Sequence, residues 1–423
     1  MLIQHAAMLD GAVVDIRVGD RIEQIADTLA AQPGEDVLDA GSGTVIPGLH
    51  DHHMHVYSAA AEKDSVRIHA TEVHGREELA RILTAAVPGA DGWIRAVGYH
   101  ESVAGPLDRE TLDAVTPPHP VRVQDRSGVL WTLNSAGLAV IGRPEHPDGR
   151  LRSADPLWQK TLPRRQTRLA AFSDLLCGYG VTGVTDATPG GDVPITGLRQ
   201  RVHVLGSGKK ILHDDDLDLD ALTRWIADRH HAGRSVAVHC VTTAQLVVTM
   251  AALRAAGTAP GDRIEHAAMA PGDCLSDLVG LGVTVVTQPN FVAERGDEYR
   301  TDVPADEHDQ LWRVASLLRA GVPVALSTDA PFGRSDPWAA MRAAVHRRTP
   351  SGVVLGPAER ILPRTALTLF LGGAVHPARP RRIAPGQPGD LCVLSAPPGT
   401  VLAELDAGLV AATIVGGRVV FRR

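Results

Sequence analysis

The stretch Pro47-Gly-Leu-His-Asp-His-His-Met-His55 places two imidazoles, His53 and His55, two residues apart. Successive side chains of a β-strand alternate faces, so this pair points one way and can grip one metal ion. Asp51 shares that face, while His50, His52 and Met54 take the other. Taken alone, such a pair is more often a histidine-rich turn than a metal site. Four more residues of suitable chemistry follow at the ends of apolar segments. A lysine, Lys209 or Lys210, follows Gly206-Ser-Gly208; His239 closes Val236-Ala-Val-His; His266 closes Arg263-Ile-Glu-His; Asp329 closes Val324-Ala-Leu-Ser-Thr-Asp. Imidazoles and carboxylates are ligands for zinc-like ions, and a carboxylate beside such an ion can take up and return a proton. An ordered set at strand ends is hard to explain as scattered structural histidines.

The elements that must position these residues alternate strand and helix. Strands are predicted at 181–187, 202–206 or 210–212, 235–240, 263–266, 282–287 and 322–328. Helices are predicted at 219–232, 243–256, 309–320 and 336–347. Positions 209, 239 and 266 are each about one βα unit apart, and catalytic groups of βα barrels converge from such strand ends. The expected fold is therefore α/β: a (β/α)8 TIM barrel over 49–385, with an insertion within about 100–175. A doubly wound sheet is the alternative, but no glycine fingerprint follows the first strand. Both chain ends, 1–48 and 386–423, read as short strands broken by turns, and one small β-sandwich built from both is expected.

Composition sets the outer bounds. The 423 residues are 44% apolar with a formal net charge of −7, which argues against disorder and against a nucleic-acid footprint. No apolar run approaches the ~18 residues of a membrane span, and no signal peptide is apparent. Four scattered cysteines without a CxxC suit a reducing cytoplasm. Only four of the 42 basic residues are lysine, at positions 63, 160, 209 and 210. The adjacent pair is therefore conspicuous.

The pattern PGxxDxHxH, followed by Lys, His, His and Asp in strand order, resembles the amidohydrolase superfamily over nearly the whole chain. Within it, Asp125-Arg-Ser-Gly-Val-Leu-Trp-Thr-Leu-Asn-Ser-Ala-Gly-Leu138 is similar to the branch containing N-substituted formamide deformylases. It departs at Val129, where that branch has His. The resemblance implies that His53, His55, His239, His266 and Asp329 are metal ligands. It implies that Asp329 handles the proton and that His239 or His266 helps the developing oxyanion. It also implies a carboxylated lysine bridging two ions, since a protonated amine cannot ligate and a guanidinium stays protonated. Gly206-Ser-Gly208-Lys209-Lys210-Ile is similar to the family's Gly-Pro-x-Lys-Ile and favours Lys209, with Lys210 left open. The two have opposite strand parity, so only one should face the metals. The segment is not a phosphate loop, which needs Gly at 203 and Ser or Thr at 210.

The expected enzyme is a metal-dependent hydrolase of a C–N bond in a small amide, N-acyl or N-formyl compound. The expected cofactor is a divalent metal, zinc first, with two ions if the lysine is carboxylated. Arg126, Trp131, Gln288, Phe291 and Arg295 are the expected substrate contacts, with arginine able to hold a carboxylate bidentately. A mononuclear deaminase of a heterocycle and a non-catalytic binding protein on a decayed barrel are the rivals. His239-Cys-Val-Thr lacks the HxxE common among the deaminases. Neither a nucleic-acid nor a membrane partner is expected, and homodimer formation is left open.

Overall fold

Val181-Thr-Gly-Val-Thr-Asp186 is β-branched and buried along its whole length, the texture of a parallel strand covered on both faces. The computed structural model describes all residues except 70–72, 117, 154, 163–167 and 191. It contains eight strands in two parallel sheets. We label them β1 (Leu49–Met54), β2 (Val181–Asp186), β3 (Arg201–Val204), β4 (Lys209–Lys210), β5 (Ala237–Cys240), β6 (Arg263–His266), β7 (Thr284–Thr287) and β8 (Val324–Leu326). Strands β1, β2 and β3 form one sheet with β2 central, and β4 to β8 form another in chain order. The sheets adjoin past the ends of β1 and β8. There His55 N donates to Ala330 O at 2.7 Å and Asp329 N donates to His53 O at 2.9 Å.

Helices separate the later strands, and side-chain caps set the starts of the first two. Asp218 accepts the Ala221 amide ahead of the helix Leu219–His231, and Thr242 accepts that of Gln245 ahead of Thr243–Ala256. The helix expected at 309–320 is shorter, Ala315–Ala320. A 3-10 turn over Ala305–Gln310 precedes it, and Trp312 at φ 49 breaks the path between them.

The chain divides into two compact units, Met1–Val56 with Ala170–Arg423, and Tyr57–Leu169. The first also carries two four-stranded sheets from the chain ends. One is built from segments within 2–39; the other combines Val45–Pro47 with Leu391–Leu394, Val410–Val415 and Arg418–Arg422. Both feed one apolar cluster that includes Ile3, Ile16, Leu38, Val45, Leu391 and Ile414.

The second unit begins earlier than the insertion expected at about 100–175. Its five-stranded sheet runs Arg150–Arg152, Leu130–Leu133, Val121–Asp125, Ile94–Tyr99, Val66–Arg67. Ile94–Tyr99 pairs with both Val66–Arg67 and Val121–Asp125 inside this sheet. Positions 117, 154 and 163–167 of the expected insertion lie outside the described residues. No helix among the described residues is long and apolar enough to cross a membrane.

Candidate metal centre

Register decides which side chains of β4, β5 and β6 share a face. Lys209 pairs with Ala237, Ala237 with Arg263, and His239 with Glu265. Neighbours in a parallel ladder point the same way, so Lys209, His239, Arg263 and Glu265 lie on one face. Lys210 takes the other face, where its ammonium lies 5.4 Å from the centroid of the Trp225 ring. By the same alternation His266 should turn away with Cys240. The strand ends at His266 with φ 72, however, and its ring lies 4.5 Å from that of His239 and 4.8 Å from that of His53. Asp329, just past β8, also adopts a left-handed φ of 56. Such conformations cost a non-glycine residue roughly 1–2 kcal/mol and tend to gather at functional sites.

His53, His55 and Asp329 form the tight nucleus, with one potential ligand atom from each lying within 4.8 Å of the others. His53 Nε2 is 3.5 Å and His55 Nε2 is 3.6 Å from Asp329 Oδ1. Their hydrogen-bond partners assign the tautomers. His53 Nδ1 donates to the Glu265 carboxylate in a short contact. That carboxylate also accepts Arg263 Nε at 2.6 Å and Nη2 at 2.9 Å. His55 Nδ1 donates to Thr188 Oγ at 3.2 Å, and Thr188 in turn donates to Asp186. Both Nε2 atoms are thereby left as bare acceptors facing a carboxylate oxygen. His53 Nε2, Asp329 Oδ1 and Lys209 Nζ are buried without hydrogen-bond partners. Two imidazole nitrogens and a carboxylate oxygen converge in this buried site, and that donor set fits a divalent metal.

Burial sets the protonation states. It pushes His55 and His239 down to about 3, with the Lys209 charge adding to the effect. It holds His53 and His266 well below the ordinary histidine value. All four imidazoles are therefore neutral and available to bind metal. Burial also lowers Lys209 to about 8, with Glu265 and Asp329 opposing the shift. Burial raises the Asp329 carboxyl, against the pull of Lys209 and Arg295. Asp51 accepts the Thr328 amide at 3.2 Å and its hydroxyl at 2.5 Å, tying β1 to the turn that presents Asp329. Burial pushes its carboxyl up to about 6 despite these bonds.

The expected substrate contacts are placed unevenly. Gln288 is fully buried. Its amide oxygen accepts His266 Nδ1 at 2.8 Å and its nitrogen donates to Ser327 Oγ at 2.8 Å, so it sits behind His266 as an orienting group. Phe291 is 3% exposed and packs on Trp312 in an apolar cluster. Trp131 is 7% exposed within the apolar core of the second unit, where Trp158 and the Arg95 and Arg122 guanidinium groups flank it. Neither aromatic retains much surface for a substrate. Arg126 lies in the second unit, half-buried. Arg295 is half-buried, with its Nη2 on the Phe332 carbonyl. Sequence reasoning missed Glu265, Arg263 and Thr188. The first two left a signal: opposite charges two residues apart on a strand that ends in a candidate ligand, His266.

The model of the amidohydrolase family matches residues 36–421, and the chain belongs to that family. It is an enzyme that hydrolyses carbon–nitrogen bonds other than peptide bonds. It is 25% identical over 448 aligned residues to the N-substituted formamide deformylase of Arthrobacter pascens, an alignment covering 82% of each chain. Its structure resembles that of an uncharacterized metal-dependent hydrolase from Pyrococcus horikoshii OT3, with a TM-score of 0.71 and 17% identity. That match covers 94% of this chain and 97% of the other. A similar protein from Pyrococcus furiosus gives a TM-score of 0.69 and 18% identity, covering 94% and 99%. The fold is accordingly a TIM-barrel-type α/β fold.

Proposed function

We propose that this chain is a metal-dependent hydrolase that cleaves the C–N bond of a small amide, N-acyl or N-formyl compound. The observation that carries this reading is the set of bare acceptors, His53 Nε2, His55 Nε2 and Asp329 Oδ1, converging within 4.8 Å. In this reading the eight strands form one closed barrel, and the two end sheets form one composite sandwich.

His53, His55 and Asp329 would hold a divalent ion, with zinc the first candidate. His239, His266 and a carboxylated Lys209 would hold a second. Such an ion, when bound, polarises a carbonyl and makes water acidic enough to be a nucleophile near neutral pH. Lys209 acquires its anionic oxygens by adding to CO2: the amine nitrogen forms a bond to carbon and loses one proton. A pKa of about 8 leaves about a tenth of the amine neutral at pH 7, which suffices for that addition. Asp329 accepts a proton from the attacking water. It returns that proton to the nitrogen as the C–N bond breaks, so the leaving group departs as a neutral amine. His239 and His266, held as neutral imidazoles, would act on the developing oxyanion through the ion they hold.

The test is chelation and reconstitution of the full-length protein, assayed on N-formyl and N-acetyl amines. Activity should vanish with the metal and return with zinc. Asp329→Asn should lower kcat by roughly 10²–10⁴-fold, the usual worth of a general acid–base group, while largely retaining metal. Near-normal turnover in that variant would remove Asp329 from this role.

A further inference from the structure

Asp329 holds a left-handed backbone, φ 56, and a non-glycine residue keeps such a conformation only where its surroundings over-determine it. The turn after it supplies part of that restraint: the amides of Phe332 and Gly333 donate to Asp329 O at 2.8 and 3.1 Å. The rest comes from two other elements. On the β1 side, Asp329 N donates to His53 O, and Asp51 accepts the Thr328 amide and hydroxyl. On the other side lies the helix Asn290–Asp302, which follows β7. Three of its side chains reach backbone atoms before and after Asp329. Asn290 Nδ2 donates to Thr328 O at 3.1 Å, and Arg295 Nη2 donates to Phe332 O at 2.5 Å. The Glu294 carboxylate accepts the Arg334 amide, at 3.1 Å on Oε1 and 3.3 Å on Oε2.

Positions 290 and 294 are one helical turn apart and share a face, and Asn290 Nδ2 also donates to Glu294 Oε1 at 3.3 Å. Glu294 Oε1 therefore joins both ends of the grip, Thr328 through Asn290 and Arg334 directly. The fit has no slack. A Cβ at Gly333 would lie 2.2 Å from Asn290 Nδ2 and 2.3 Å from Thr328 O, so the close approach needs glycine there. Burial raises the carboxyls of Glu294 and Asp329, and the Arg295 charge opposes the rise at each, so this cation faces both acids. The Phe332 ring also meets His55 edge-on, with centroids 5.2 Å apart, so the turn abuts a proposed ligand.

We propose that Glu294 is a positioning residue for the proton transfer: it clamps the 328–334 segment so that the Asp329 carboxylate keeps its aim. This inference rests on the reading of Asp329 given above. Glu294 acts through the Arg334 amide and through Asn290, not on the reacting atoms. Without its carboxylate the far end of the turn is released, and the left-handed Asp329 backbone relaxes. Misplacing a reacting group by about 1 Å from a distance costs on the order of 100-fold in rate.

The experiment makes Glu294→Leu, Glu294→Gln and Gly333→Ala in the full-length protein and reads two quantities. Metal-reconstituted enzyme is assayed on N-formyl and N-acetyl amines, with and without Asp329→Asn. Backbone hydrogen exchange at Phe332, Gly333 and Arg334 is measured on the metal-free protein. Glu294→Leu should lower kcat by roughly 10- to 100-fold while KM moves less than about threefold and metal is retained. It should also speed exchange at these amides by about tenfold or more, the worth of a hydrogen bond to a charged group. Glu294→Gln, whose amide oxygen takes the place of Oε1, should keep kcat within about threefold of wild type. Gly333→Ala pushes on Thr328 O from the opposite side and should lose kcat as Glu294→Leu does. Both losses should vanish in the Asp329→Asn background, because misplacing an absent base changes nothing. If Glu294→Leu does not fold, Gly333→Ala and Glu294→Gln carry the same comparison. Unchanged kcat in Glu294→Leu and Gly333→Ala overturns the proposal. A loss of equal size with and without Asp329→Asn also overturns it and makes Glu294 a general brace. Wild-type enzyme that hydrolyses no amide overturns the hydrolase reading, while unchanged exchange in Glu294→Leu overturns the clamp by itself.

Discussion

Neutralising Glu265 separates two roles of one buried carboxylate. Glu265 is fully buried, receives two hydrogen bonds from Arg263, and accepts His53 Nδ1. Arg263 is buried as well and also donates to His52 O at 2.7 Å. Glu265→Gln keeps the shape but leaves the Arg263 guanidinium without its counter-charge. Breaking one side of such a pair costs about 3–5 kcal/mol. The same change removes the carboxylate that keeps the proton on His53 Nδ1 and its Nε2 bare. Loss of a partner of this kind lowers metal affinity by roughly 10–100-fold, or about 1.4–2.7 kcal/mol. Urea unfolding of the metal-free protein measures the first effect, and competition against a chelator measures the second. A double variant, Arg263→Met with Glu265→Leu, distinguishes them. Replacing both charges with apolar groups should recover much of the stability. It should not recover metal affinity, because the imidazole remains unanchored. If Glu265→Gln changes stability by less than about 0.5 kcal/mol and metal affinity by less than about threefold, the carboxylate does neither job.

Three further outcomes are expected. Lys209→Ala should lower kcat/KM by more than about 100-fold and abolish a carbamate resonance seen by NMR after exposure to labelled CO2, whereas Lys210→Ala forfeits only its stacking on Trp225, about 0.5–1 kcal/mol of stability; the reverse pattern would move the modified lysine to position 210. Folding lowers the pKa of His55 and His239 to about 3, so below the unfolded value of about 6.5 the unfolded chain binds more protons. Stability of the metal-free protein should be complete above that value and fall by up to about 1.4 kcal/mol per pH unit for each histidine as the pH drops towards 3; a flat denaturation profile from pH 7 to 4 would contradict this. Gln288→Leu removes the acceptor for His266 Nδ1 and should lower metal affinity while shifting KM equally for all substrates; KM changes that depend on the substrate would instead make Gln288 a substrate contact.

Much of the centre was legible because strand alternation is a strong rule. It aligned His53 with His55, and it separated Lys209 from Lys210 before any register was known. The rule gives the wrong face for His266, whose left-handed backbone turns the ring back towards His53. No residue preference announces that turn. Glu265 was passed over because a carboxylate between an arginine and a histidine reads as an ordinary charge, and only its depth shows what it holds. Trp131 and Phe291 were expected as substrate contacts, yet both sit in apolar clusters, since composition does not distinguish a ring lining a site from one supporting it. The start of the second unit was hidden for a similar reason. The pairing of Ile94–Tyr99 with Val121–Asp125 joins segments that are separated in the chain, and no local pattern announces it.

The central claim is that these side chains gather around a divalent metal and use it on an amide. Anomalous diffraction from crystals of the reconstituted, active enzyme tests it most directly. A metal peak bounded by His53, His55 and Asp329 is predicted, with a second beside His239 and His266 and continuous density from Lys209 Nζ to both. An active enzyme with stoichiometric metal but no peak among these residues would contradict the assignment.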